Sequence, residues 1–263
     1  MCGEPAVDVP QAAQHQRPPC GGAPGLDLSP QPRRAAAKRR TPERPVSPAH
    51  APLSHLRAVL FDLDGTLIDA VESHYRVFAR VLAALGVPLD RTIFSRHYSP
   101  DWYQFYARMG IPQHQWQEAD RLWLRYYAAE VPARQEGADE ALAAARSSGR
   151  AVGLVTAGDR DRVQHDLQRL GWAQMFGVVV CAGDVPQRKP HPAPLVHGLL
   201  RLQVPPAAAA YVGDTVEDVE MGRAAGVTTL AVLGGFSSRE SLEAARPVML
   251  LDSLKDLAAL LAG

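Results

Sequence analysis

The stretch AVLFDLDGTLID, Ala58 to Asp69, carries an apolar run straight into two aspartates one residue apart, Asp62 and Asp64. Like charges crowded at a strand tip repel, so the pair makes sense around a cation or where one of the two reacts. Three further stretches carry matching chemistry: GLVTAG with Thr156, GDVPQRKPHP with Lys189, and GDTVED with Asp214 and Asp218. Asp62, Asp64 and Asp214 are oxygen ligands of the kind Mg²⁺ takes, usually one or two carboxylates completed by water and substrate phosphate oxygens. Thr156 offers a hydroxyl and Lys189 a compact cation suited to phosphate. Lysine is scarce, only Lys38, Lys189 and Lys255 occurring among 28 basic residues, so one inside a Pro-rich loop stands out. Carboxylates, a hard cation and surrounding donors make a phosphoryl-transfer site, in which one aspartate can act as nucleophile.

These residues need a scaffold that brings them together. Short apolar runs of strand type occur at 58–61, 151–156, 177–182, 209–213, 228–233 and 248–251. Helical patterns fill the gaps at about 138–148, 159–170, 192–202, 216–225, 239–245 and 254–261. Continuous apolar strands alternating with helices predict an α/β, Rossmann-like parallel sheet with helices on both faces. In such a sheet ligands bind at the carboxyl ends of the strands, which is where Asp62, Asp64, Thr156, Lys189 and Asp214 fall. Between the first and second strands lies a long helical stretch, too long for a crossover and therefore expected to be an inserted all-helical cap. The expected division is a Pro/Arg-rich disordered tail over 1–55, a core of 56–69 with 137–263, and the cap over 70–136.

The four motifs resemble those of the haloacid dehalogenase superfamily of phosphohydrolases. DLDGT matches its first motif, the Thr156 strand end its second, RKPHP its third and GDTVED its fourth. The helical insertion resembles the cap of the phosphoglycolate phosphatase and beta-phosphoglucomutase branch. That resemblance implies Asp62 as nucleophile and Asp64 as the acid, then base, of the reaction. Asp64 would have to hold a proton during attack, favoured by its negative neighbour. Mg²⁺ would be held by Asp62, the Asp64 backbone carbonyl and Asp214, with Asp218 direct or one step removed. Thr156, the Ala157 backbone N–H and Lys189 would bind the phosphoryl group. One departure stands out: many relatives carry Asn after the Thr of the second motif, where this chain has Ala157 and Gly158.

The cap stretch is rich in rings, ten of the chain's seventeen aromatics lying between Phe94 and Tyr127. Most of these are expected to be its core. Arg96, His97 and Arg108 are candidates for binding an anionic leaving group. The expected activity is a cytoplasmic, Mg²⁺-dependent phosphatase acting on a small phosphate monoester. A sugar-phosphate phosphomutase and a non-catalytic binding protein on the same fold are the alternatives; Asp64 argues against a dehalogenase. Zero formal net charge gives no bias toward nucleic acid or membrane. No apolar run approaches the ~20 residues of a bilayer span. Cys2, Cys20 and Cys181 form neither a disulfide framework nor a zinc spacing. The first 55 residues hold 11 of 22 prolines and a basic run, RRAAAKRR, read as an unselected tail rather than a nucleic-acid arm.

Overall fold

The computed structural model describes residues 53–262. The tail with its basic run, and Cys2 and Cys20, lie outside them. Residues 53–55, assigned to the tail by composition, form a 3-10 turn, and Leu53 is buried in the core.

Strand β1 (Ala58–Phe61) is apolar and buried along its whole length. Val59 and Phe61 enter one hydrophobic cluster, Ala58 and Leu60 another, as alternation across a sheet covered on both faces requires. A tight loop leads to the two-residue strand β2 (Ile68–Asp69). Four helices follow: α1 (Val71–Ala84), α2 (Arg91–His97), α3 (Trp102–Arg108) and α4 (Trp116–Tyr127). Strand β3 (Ala133–Arg134) ends the excursion by pairing antiparallel with β2, Ile68 opposite Arg134. Helix and strand then alternate through α5 (Ala138–Ser147), β4 (Ala151–Val155), α6 (Arg160–Arg169), β5 (Val178–Val180), α7 (Ala193–Leu202), β6 (Ala209–Gly213), α8 (Val216–Ala225), β7 (Thr228–Val232), α9 (Arg239–Ala245), β8 (Met249–Leu251) and α10 (Leu254–Ala262).

Six strands form one parallel sheet in the order β5-β4-β1-β6-β7-β8. Counted within that sheet the order is 3-2-1-4-5-6, the doubly wound arrangement, whose direction of winding reverses between β1 and β6. The α/β expectation holds. The pairing of β2 with β3 was not legible, because two-residue strands carry no alternation to read.

Helices α1 to α4 share a hydrophobic cluster of their own, built on Val77, Phe78, Phe105, Tyr106 and Trp123. Edge-to-face contacts knit it together, such as Phe78 with Phe105 at 4.7 Å between ring centres. The aromatic richness of this stretch is therefore mostly core. Among the described residues no helix is long and apolar enough to cross a membrane.

Candidate active site

Three consecutive features aim the first loop. The Asp62 N–H donates to the Val212 carbonyl at 2.9 Å, keeping Asp62 at the end of β1 beside β6. Thr66, Leu67 and Ile68 all donate their N–H groups to the Leu63 carbonyl, which folds the chain back on itself. Gly65 adopts φ +84°, and a Cβ there would come within 2.8 Å of the Asp214 Cγ and the Phe236 ring. Only glycine allows this approach.

Asp214 follows β6 directly and is fully buried. It accepts from the Thr66 hydroxyl at 2.7 Å and from the Phe236 N–H at 2.8 Å. Asp218 lies one helical turn on, at the third position of α8, and is buried by a capping box with Thr215. Its Oδ2 accepts from the Thr215 N–H and hydroxyl at 3.0 and 2.6 Å. Its Oδ1 accepts from Lys189 Nζ at 2.8 Å and from the Tyr211 hydroxyl at 3.2 Å. Lys189, 3% exposed, also lies 2.8 Å from Asp62 Oδ1 and so bridges the two acids.

Ligand oxygens of Asp62, Asp214 and Asp218 all lie within 4.8 Å of one another. Three buried carboxylates face one ammonium, which leaves two negative charges over, the charge of one divalent cation. The electrostatics carry the same deficit. Burial, offset in part by Lys189 and reinforced by the Asp218 charge, pushes the Asp62 carboxyl up to about 7. Burial, with the charges of Asp218 and Asp62, raises Asp214 well above the usual carboxylate range. The donor set therefore fits a small hard cation. Asp218 is the least available of the three, since four donors already occupy its oxygens.

Thr156 directly follows β4, its N–H donating to the Val180 carbonyl and its hydroxyl accepting from the Gly158 N–H at 3.1 Å. With Ala157 and Gly158 it lines a small inner pocket that also contains Asp62, Asp64, His74, Tyr98 and Thr215. The free volume there is about 10 Å³, about the space of one water.

Asp64 departs from expectation. Its two oxygens are held by Arg162, Nη1 to Oδ1 at 2.8 Å and Nη2 to Oδ2 at 2.6 Å, and His74 Nε2 lies 3.3 Å from Oδ1. Burial alone would raise the carboxyl, but the Arg162 guanidinium and His74 outweigh it and hold it well below the usual range. The neighbours of Asp64 thus keep it ionised, where negative neighbours alone were expected to keep it protonated.

Arg162 and His74 were missed. Arg162 sits in the first turn of α6, whose long side chains lean back toward the helix start and so toward β1. Gly158 makes room for it, since a Cβ there would overlap Arg162 Nη2. His74 lies on the buried stripe of α1 with Val77, Phe78 and Val81, at helical spacing that reads as plain core.

The three basic candidates of the helical block do not reach the carboxylates. Arg96 and Arg108 line a larger cleft of about 800 Å³, with Gln104, Glu217, Glu220 and Phe236. Arg108 also closes the end of α2 through the His97 and Tyr98 carbonyls. His97 lines neither space. Tyr98 and Thr215 line both cleft and inner pocket, and Tyr98 stacks on Phe236 of the cleft at 3.9 Å and 7°.

The profile of the haloacid dehalogenase-like hydrolases matches residues 59–232. A phosphoglycolate phosphatase from Salmonella typhimurium is 30% identical over 78% of this chain and 92% of its own length. The crystal structure of CbbY from Rhodobacter sphaeroides in complex with phosphate is similar with a TM-score of 0.67 and 25% identity, over 77% of this chain and 96% of that one. A putative beta-phosphoglucomutase from Bacteroides vulgatus shares the fold at a TM-score of 0.67 and 24% identity, over 78% of this chain and 88% of that one. With its four motifs on one sheet edge and its helical insertion after β1, the chain belongs to the haloacid dehalogenase-like hydrolase family, and within it is similar to the phosphoglycolate phosphatases.

Proposed function

We propose that the chain is a Mg²⁺-dependent phosphatase that hydrolyses a small phosphate monoester through an aspartyl-phosphate on Asp62. The observation that carries this reading is the position of Lys189, 2.8 Å from both Asp62 and Asp218, beside a buried three-carboxylate cluster at the switch point of the sheet. The phosphoglycolate phosphatase relative and the phosphate-bound CbbY support a phosphate ester as substrate.

Asp62, the Asp64 backbone carbonyl and Asp214 would hold Mg²⁺, with Asp218 anchoring Lys189. The bound cation supplies charge neutralisation for the phosphoryl oxygens. Thr156, the Ala157 N–H and Lys189 bind those oxygens and orient the phosphorus toward Asp62. An Asp62 oxygen attacks phosphorus, the ester P–O bond breaks, and the leaving oxygen takes a proton carried by Asp64. Asp64 then removes a proton from water, which attacks the aspartyl-phosphate and releases inorganic phosphate with Asp62 restored. To carry that proton Asp64 has to leave Arg162. The helical block would act as a cap, opening to admit substrate and closing to exclude bulk water.

A phosphate-release screen over small phosphate esters with Mg²⁺ tests the reading, with Asp62→Asn as control. Turnover in wild type and loss of at least about 10³-fold in the variant is expected. Near-wild-type rates in Asp62→Asn would refute the nucleophile, and isomer formation without phosphate release would make the chain a mutase.

A further inference from the structure

The basic candidates of the helical block do not line the inner pocket, but the segment joining α2 to α3 does. Tyr98, Pro100 and Trp102, from this segment and the start of α3, line the pocket beside Asp62, Asp64 and Thr156. We propose that these three side chains select the substrate by its leaving half. The preferred substrate is then a phosphate monoester whose leaving half is uncharged beside the scissile bond and presents an apolar face there. This rests on the phosphatase reading and narrows it.

The backbone of the segment turns this face to the pocket. Tyr98 and Asp101 are both extended, and side chains along extended backbone alternate between two sides. Tyr98, Pro100 and Trp102 share the pocket, while Ser99 and Asp101, between them in sequence, bond to the core. Ser99 is fully buried and donates its hydroxyl to Glu217 of α8 at 3.2 Å. Asp101 lies 3.8 Å from Arg188, the neighbour of Lys189, and the Arg188 guanidinium also covers the Tyr103 ring at 4.3 Å. Two anchors, one on each side of Pro100, therefore set where the three apolar side chains meet the site.

The lining decides what a leaving group meets. It holds the Asp62 and Asp64 carboxyl groups, and among the described residues no lysine or arginine lines it. His74 lines it too, but faces Asp64 at 3.3 Å. By the proposed mechanism Lys189 and the cation serve the phosphoryl oxygens. A carboxylate one or two bonds from the ester oxygen would be desolvated against like charge, with no cation of its own. An alkyl or aryl group has no charge to desolvate and buries its surface against two aromatic rings and a proline. The free volume of the pocket is about 10 Å³, so the ester enters when the helical block opens, and the bulk of its leaving half lies further out. Tyr98 and Thr215 line both the pocket and the larger cleft, where Phe236 and Pro190 continue the apolar wall. Arg96 and Arg108 line only the cleft, so they meet charge carried far from the scissile bond, not beside it.

The test is steady-state kinetics of the full chain with Mg²⁺ on three esters of primary alcohols. These are benzyl phosphate, 2-hydroxyethyl phosphate and 2-phosphoglycolate, with acetyl phosphate as a general substrate. Wild type is expected to favour benzyl phosphate over 2-phosphoglycolate by about tenfold or more in kcat/KM, with 2-hydroxyethyl phosphate between them. Tyr98→Ser removes a ring and is expected to shrink that ratio at least about threefold, whereas Tyr98→Phe keeps the ring and the ratio. Pro100→Lys puts a cation in the lining and is expected to shrink the ratio at least about tenfold. The two Tyr98 variants carry the test if Pro100→Lys does not fold, as judged by circular dichroism. A wild type that favours 2-phosphoglycolate, or shows no preference among the three esters, overturns the selection. So does a ratio unchanged in Tyr98→Ser, or a wild type that hydrolyses acetyl phosphate and none of the three. A wild type inactive on all four removes the phosphatase reading, and the selection falls with it.

Discussion

Arg162 holds both carboxylate oxygens of Asp64, at 2.8 and 2.6 Å, across 98 residues of sequence and with both side chains at most 10% exposed. The pair ties α6 to the loop that follows β1. Removing one partner of a buried ion pair costs about 3–5 kcal/mol, because the other charge is left without compensation. Arg162→Met is expected to be destabilised by an amount of that order at neutral pH. The Asp64 carboxyl is depressed, so its contribution is complete above the ordinary carboxylate value of about 4 and is lost as the pH falls through its lower folded value. The stability gap between wild type and variant, measured by urea unfolding, should hold from pH 7 to 5 and shrink by about 1 kcal/mol by pH 3. A gap that widens on acidification would place the variant's defect elsewhere.

Asp214 and Asp218 should separate cleanly as metal ligand and lysine anchor. The Asp214 carboxyl is raised by burial and by its negative neighbours, so its ionised form opposes folding when no cation is bound. Asp214→Asn is therefore expected to melt at a higher temperature than wild type without Mg²⁺, and to gain nothing when Mg²⁺ is added. Asp218→Asn removes the charge that holds Lys189 and disturbs four donated hydrogen bonds, at a cost of roughly 3 kcal/mol. It should keep a Mg²⁺-dependent rise in melting temperature. Thermal melts of the two variants with and without Mg²⁺ decide this; loss of the Mg²⁺ response in Asp218→Asn would make that residue a direct ligand.

The sheet was legible because parallel strands are short apolar runs. Asp62, Thr156 and Asp214 stood out at the ends of such runs, Asp218 in the motif that follows Asp214, and Lys189 as a lone lysine in a Pro-rich loop; the structure gathers Asp62, Lys189, Asp214 and Asp218 into one buried cluster. Arg162 and His74 did not stand out, because their signal depends on which face of a helix meets another element. Arg162 and Asp166 sit one turn apart beside Val163 and Leu167, a spacing at which opposite charges pair on any helix surface, so it does not mark them as buried. Arg96 and Arg108, singled out for their charge, line the larger cleft, which shares Tyr98 and Thr215 with the inner pocket.

The stack of Tyr98 on Phe236 joins the helical block to the loop after β7 in the wall of the larger cleft, and Tyr98 also lines the inner pocket. Such a pair contributes about 0.5–1.5 kcal/mol beyond area burial. Phe236→Ala keeps the backbone N–H that serves Asp214 and removes the ring. Closure should then be less populated, with kcat/KM lowered about three- to tenfold and melting temperature reduced by only a few degrees. Steady-state kinetics with a parallel melt tests this; a normal kcat/KM would show that the stack takes no part in closure.

Gly65 and Gly86 offer a matched pair for separating backbone strain from crowding. Both have positive φ, +84° and +78°. A Cβ at Gly86 meets nothing within 4 Å, whereas one at Gly65 meets the Asp214 carboxyl group and the Phe236 ring. Gly86→Ala should cost about 1 kcal/mol through strain alone and leave the kinetics as they are. Gly65→Ala carries the same strain and must also push Asp214 away from Asp62. It is expected to be the less stable of the two by a further 1–2 kcal/mol, and to need more Mg²⁺ for half-maximal phosphate release. Equal Mg²⁺ requirements in the two variants would show that Asp214 can move without loss of the cation site.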